Sequence, residues 1–116
     1  MKKLRQFQKF DAVEFFRDKD VRVMAQEPWN DIKDGQVTKQ LGTKYKCVIA
    51  SDGTKYEGDD VRPDLNAGEQ IVVKVPQPPK KFKKFSRITF VNPTASVYGT
   101  FQSELSVKAD DVDIQP

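Results

Sequence analysis

The residues with most chemistry within reach lie in one stretch, Lys80-Lys81-Phe82-Lys83-Lys84-Phe85-Ser86-Arg87. Lysine and arginine bring positive charge to phosphates, and an aromatic ring can stack on a base. Read with the period of two that an extended strand requires, Phe82, Lys84, Ser86, Ile88 and Phe90 share one face. Lys81, Lys83, Phe85, Arg87 and Thr89 share the other. The spacing therefore predicts a ribbon that buries Ile88 and Phe90. Its exposed residues would offer Lys81, Lys83, Lys84 and Arg87 to phosphates and the ring of Phe85 to a base, with Lys80 adding to the field. The competing reading is an edge strand whose lysines blunt aggregation and bind nothing.

Other chemistries find less support. The chain has no histidine, so general acid–base work would fall to Asp, Glu, Lys or Tyr, and no pairing at a diagnostic spacing occurs. Cys47 sits between Lys46 and Val48-Ile49, where a thiol serves as a small hydrophobe more readily than as a nucleophile. Gly58-Asp59-Asp60 offers two carboxylates without further ligands, which reads as a solvated turn. The expectation is a protein that is not an enzyme, with no cofactor and no metal.

The 116 residues bound the answer to one domain with a modest core. The chain is 37% apolar and 32% charged, yet eight Phe, three Tyr and one Trp argue for a folded state. A lone cysteine forms no internal disulfide and points to a reducing compartment. Met1-Lys2-Lys3 lacks the apolar run of a signal peptide, and no stretch reaches membrane-spanning length, so a cytoplasmic location without membrane association is expected. The net charge of +3 is unevenly spread. Residues 71–100 hold six Lys/Arg and no carboxylate, whereas 51–70 hold two against six and 101–116 one against four. The basic segment favours a polyanion, provided folding does not set the acidic segments beside it.

The elements that must position these residues read as short strands. Leu4, Phe7, Phe10 and Val13 recur at spacing three and predict a short N-terminal helix, while Phe15-Phe16 look like a buried strand end. Val21–Ala25 alternates as a strand that Gln26-Glu27-Pro28 should close. Trp29 follows in a loop, where it caps a core or stacks on a base, and residues 30–43 read as loop or linker. Tyr45, Cys47 and Ile49 form one face of a strand that runs into Asp52-Gly53, the best hairpin signal, with a return strand over residues 54–57. Ile71–Val75 is strongly β-branched and predicts a central strand. Pro76-Gln77-Pro78-Pro79 makes a stiff extended connection to the basic segment. Two more strands are read at 97–101 and 103–108, before an acidic tail at 109–114. Five to seven short strands with intervening turns favour a mainly β chain, a small barrel or curled sheet.

The order Lys44-Tyr45-Lys46-Cys47-Val48, Ile71-Val72-Val73-Lys74-Val75-Pro76, Lys80-Lys81-Phe82, Ile88-Thr89-Phe90-Val91-Asn92-Pro93 and Val107-Lys108-Ala109-Asp110-Asp111-Val112 resembles the PrgU/HelP-like small-protein family of Gram-positive conjugative plasmids and elements. The resemblance covers the last two-thirds of the chain. It divides the single domain of residues 1–116 into a β core at 44–116 and a loosely matched part at 1–43. It implies a PUA-like small barrel and a non-enzymatic accessory that binds RNA to restrain expression of conjugation or adhesin genes. The alternative is a helicase processivity or DNA-processing factor acting on single-stranded DNA or on a helicase partner. One departure stands out, because the family carries glutamates around the position of Phe82 where this chain has Lys81, Lys83 and Lys84.

Overall fold

The computed structural model describes residues 1–2, 10–56, 64–99 and 104–115. The protein is mainly β, a curled half-barrel sheet with one short helix near its N-terminus. In chain order the elements are α1 (Ala12–Arg17), β1 (Lys19–Lys33), β2 (Gln36–Asp52), β3 (Gln70–Val75), β4 (Ile88–Val91), β5 (Thr94–Tyr98), β6 (Glu104–Lys108) and β7 (Asp111–Ile114). Five strands form one sheet in the order β1-β2-β3-β6-β5, and β4 pairs with β7 in a second, two-stranded sheet. All pairings are antiparallel except β3 with β6.

The core follows the alternation of the strands. Tyr45, Cys47 and Ile49 of β2 and Ile71, Val73 and Val75 of β3 are buried, as their spacing predicts. Val107, Ala109 and Val112 join them, and Ile88 closes the core from β4. Phe90 packs against this cluster while staying half-buried. Val21 and Val23 of β1 belong to the same core, so the packed β unit begins well before residue 44, and β2 itself runs across that position.

Several readings of the N-terminal half are corrected. Phe15 and Phe16 lie on α1 rather than at a strand end. The Asp11 side chain accepts from the Glu14 N–H at 3.1 Å and starts that helix, an acceptor placed where the first turn has unpaired donors. Phe16 then reaches Phe90 with ring centroids 4.9 Å apart, holding the helix on β4. The predicted helix pattern from Leu4 and Phe7 lies outside the described residues, whereas Val13 falls on α1.

The strand read as ending at Pro28 continues to Lys33, and residues 36–43 are the first half of β2 rather than a linker. Pro28 is tolerated because β1 is an edge strand, where a missing N–H breaks no second ladder. The hairpin turn is the other Asp-Gly pair: Asp34 and Gly35 have φ of 52° and 76°, the positive values that a tight two-residue turn between twisted strands requires. Asp52-Gly53 makes no hairpin, and residues 53–56 are not strand. Asp52 is buried instead, 3.4 Å from the Lys19 ammonium, with both side chains fully shielded from solvent. It accepts from the Tyr56 hydroxyl at 2.5 Å and from the Thr54 and Asn66 N–H groups at 3.1 and 3.2 Å.

The long β1–β2 hairpin curls because its register slips four times, between Asp20/Val21, Val23/Ala25, Trp29/Asn30 and Asp31/Ile32. Each extra residue adds local twist and bends the ribbon. Gly42 lets the ribbon pass close to the end of β3, since a Cβ there would collide with the Val75 carbonyl oxygen and come within 2.8 Å of Pro76 Cα. Trp29, paired with Gly42, is therefore half-buried on a strand, neither in a loop nor in the core.

Candidate nucleic-acid interface

The polyproline segment leaves β3 and is tied across the end of β2: the Thr43 hydroxyl donates to Gln77 O at 2.9 Å, and the Lys80 N–H donates to the Tyr45 hydroxyl at 3.1 Å. The chain thus crosses the sheet end instead of running beside a strand. For that reason Lys81–Ser86 is not the predicted strand, and regular pairing begins only at Ile88. Residues 83–86 form a turn closed by the Ser86 N–H on Lys83 O at 3.0 Å, with Phe85 in the left-handed region at φ 72°. Two backbone bonds pin this turn to the β1 edge: Phe85 N–H to Val23 O at 2.8 Å, and Val23 N–H to Ser86 O at 3.0 Å.

The turn separates the sequence-predicted residues into two groups. Lys81, Lys83 and Lys84 are exposed and make no ion pair among the described residues. Phe85 is 52% exposed beside them. Arg87 is also exposed, with its Nε 3.8 Å from Asp20 Oδ1. Lys80, in contrast, is a structural anchor: its ammonium donates to Val112 O at 2.6 Å and lies 3.1 Å from Asp111. The Asp111 carboxyl is held below its ordinary value first by the Val112 N–H and then by Lys80. Phe82 packs on the core cluster, as its face predicted.

Arg22 is the residue the sequence reading missed. It stands across an isolated bridge from Arg87, reaches Phe85 O at 3.5 Å and pairs with Asp20 at 2.9 Å. Only the pairing of distant segments reveals it. Folding does bring acidic residues to the basic segment, because β7 pairs with β4 and its Asp111 takes Lys80. The cations of the turn stay outside that pairing, and among the described residues Asp20 is the one carboxylate within ion-pair distance of Arg22 and Arg87, with a hydrogen bond to Arg22 only.

Burial pushes the Cys47 thiol up to about 12, so it stays protonated and unreactive. Among the described residues no group of three or more Cys, Asp or Glu lies close enough to hold a metal ion, and no helix is long and apolar enough to cross a membrane. Asp59 and Asp60 lie outside the described residues. No family model matches the chain, and no curated protein or solved structure does so either.

Proposed function

We propose that the protein is a non-enzymatic binder of single-stranded nucleic acid, RNA in the first place, and that the turn at Lys83–Ser86 is its contact. The observation that carries this reading is Phe85. A phenylalanine in the left-handed region costs about 1–2 kcal/mol, and Phe85 as a residue is half exposed, so packing gives little in return. Stacking on a base supplies a use for that geometry, with Lys81, Lys83, Lys84 and the Arg22–Arg87 pair around it for phosphates. The PUA-like character and the role in restraining conjugation genes on a plasmid rest on the family resemblance, the cytoplasmic setting rests on the lone Cys47, which points to a reducing compartment, and all three form part of the same proposal.

The test is the combined replacement of Lys81, Lys83, Lys84 and Arg87 by Gln. Affinity for a uridylate oligonucleotide at low salt is expected to fall, and the slope of log K against log salt to shrink by about 0.7 for each phosphate that is no longer neutralised. Lys80→Met serves as the control: it is expected to lower stability and leave the slope alone. Unchanged affinity in the quadruple variant would overturn the turn as the binding surface. A preference for single-stranded DNA over RNA would favour the DNA-processing alternative.

A further inference from the structure

The outer face of the five-stranded sheet carries a second cationic array that the turn does not include. The inner face holds the core, so residues one step out of phase point away from it: Lys74 between buried Val73 and Val75, and Lys108 between buried Val107 and Ala109. Register then aligns three lysines side by side, with Lys44 opposite Lys74 and Lys74 opposite Lys108. Neighbouring strands lie about 4.8 Å apart, so the row places three ammonium groups on adjacent strands, an arrangement that repels itself. None of the three makes an ion pair among the described residues. Glu27, the residue opposite Lys44, turns its carboxylate to Lys46 at 3.6 Å instead.

An aromatic ring stands at this row. The ammonium groups of Lys74 and Lys108 lie 5.8 and 5.9 Å from the centroid of the Trp29 ring, which the curled hairpin carries over the sheet. Trp29, Lys74 and Lys108 line a recess of about 230 Å³. Asp110 at its rim accepts from the Asn92 amide at 3.1 Å. A second recess of about 440 Å³ shares Lys74 and continues to exposed Tyr98 on β5. From Thr94, opposite Lys108, to Tyr98 the face runs about 13 Å. Unpaired lysines between two aromatic residues on an open sheet match a charged backbone with flat bases.

We propose that this outer face binds the sugar-phosphate backbone of a single nucleic-acid strand along Lys44, Lys74 and Lys108, with a base against Trp29. The ligand class is the one proposed for the turn, but the face is separate and is tested separately. Trp29 is the only tryptophan in the chain, so its fluorescence reports on this face alone. A uridylate oligonucleotide is titrated into the wild type, into the variant with Lys81, Lys83 and Lys84 changed to Gln and Phe85 to Ala, and into Lys74→Gln/Lys108→Gln. Total binding is followed by anisotropy of the labelled oligonucleotide.

Quenching of Trp29 is expected in the wild type and to persist in the turn variant. The double lysine variant is expected to bind at least several-fold more weakly, with a salt slope smaller by about 1.4. Binding without quenching, or quenching that vanishes with the turn residues, would overturn the outer face and leave the turn standing. Full affinity and full quenching in the turn variant would overturn the turn and support the face. Quenching by anionic phospholipid vesicles but not by the oligonucleotide would overturn the proposal in favour of a membrane surface.

Discussion

Phe85 can be tested through the ordering of two substitutions, Phe85→Ala and Phe85→Gly. Both remove the ring and its partial packing on the turn, so that loss cancels between them. They differ in the backbone. Alanine keeps a Cβ at φ 72° and so keeps the left-handed strain, whereas glycine relieves about 1–2 kcal/mol of it. Glycine gives back roughly 0.4–1 kcal/mol because its unfolded chain is freer. The glycine variant is therefore expected to be the more stable of the two by about 1 kcal/mol, or about 4 °C in Tm for a chain of this size. At an ordinary position the order is reversed. Urea denaturation with a common m-value measures the difference. A Phe85→Ala variant as stable as Phe85→Gly would refute the left-handed turn. Both variants are also expected to lose roughly 1–3 kcal/mol of oligonucleotide affinity with an unchanged salt slope, because a ring and no charge has been removed. Wild-type affinity in both would refute stacking.

Two further predictions concern the frame that carries the sites. Burial by itself would raise the Asp52 carboxyl, but hydrogen bonds from Tyr56, Thr54 and Asn66 outweigh it and lower the group from its ordinary 3.8 to about 2. Its contribution is therefore present above the unfolded value and is lost as pH falls from about 5 through the folded one. Asp52→Asn, which leaves Lys19 buried without its counter-charge, is expected to cost about 3–5 kcal/mol at neutral pH and to flatten the acid limb of a denaturation-midpoint profile. An unchanged profile would show that these hydrogen bonds do not hold the carboxylate in its charged form. Gly42→Ala is expected to destabilise by about 3 kcal/mol, because the new methyl meets the backbone of Val75 and Pro76, and to shift Trp29 emission even in the free protein. A variant with wild-type Tm and emission would contradict the close passage of β2 and β3.

The strands whose faces alternate without interruption could be read from the sequence, and those broken by local signals could not. Tyr45, Cys47, Ile49, Ile71, Val73 and Val75 declare their face by a period of two, and all six are buried. The hairpin failed because the chain holds two Asp-Gly pairs and the clearer strand, over residues 45–50, runs into the second. Asp34-Gly35 and Asp52-Gly53 both supply turn chemistry, and the choice between them is made by Lys19, which is buried beside Asp52 and recruits it as a counter-charge. Pro28 misled for a related reason, since its effect depends on whether the strand has one neighbour or two.

The residues proposed for binding divide along the same line. Lys81, Lys83, Lys84, Phe85 and Arg87 are nearly contiguous, so composition alone pointed to them, and the turn exposes all five although it is not a strand. Lys80 left the group because its partner, Val112, comes from a strand thirty-two residues away. Lys44, Lys74 and Lys108 show the converse. Their spacings of 30 and 34 residues carry no local pattern, and each alone is an ordinary strand lysine. Register makes them neighbours, and a one-residue slip of β3 against β2 would bury Lys74 in the core, which the buried Ile71, Val73 and Val75 forbid. The apolar pattern that fixes the core thus also fixes the lysine row on the opposite face.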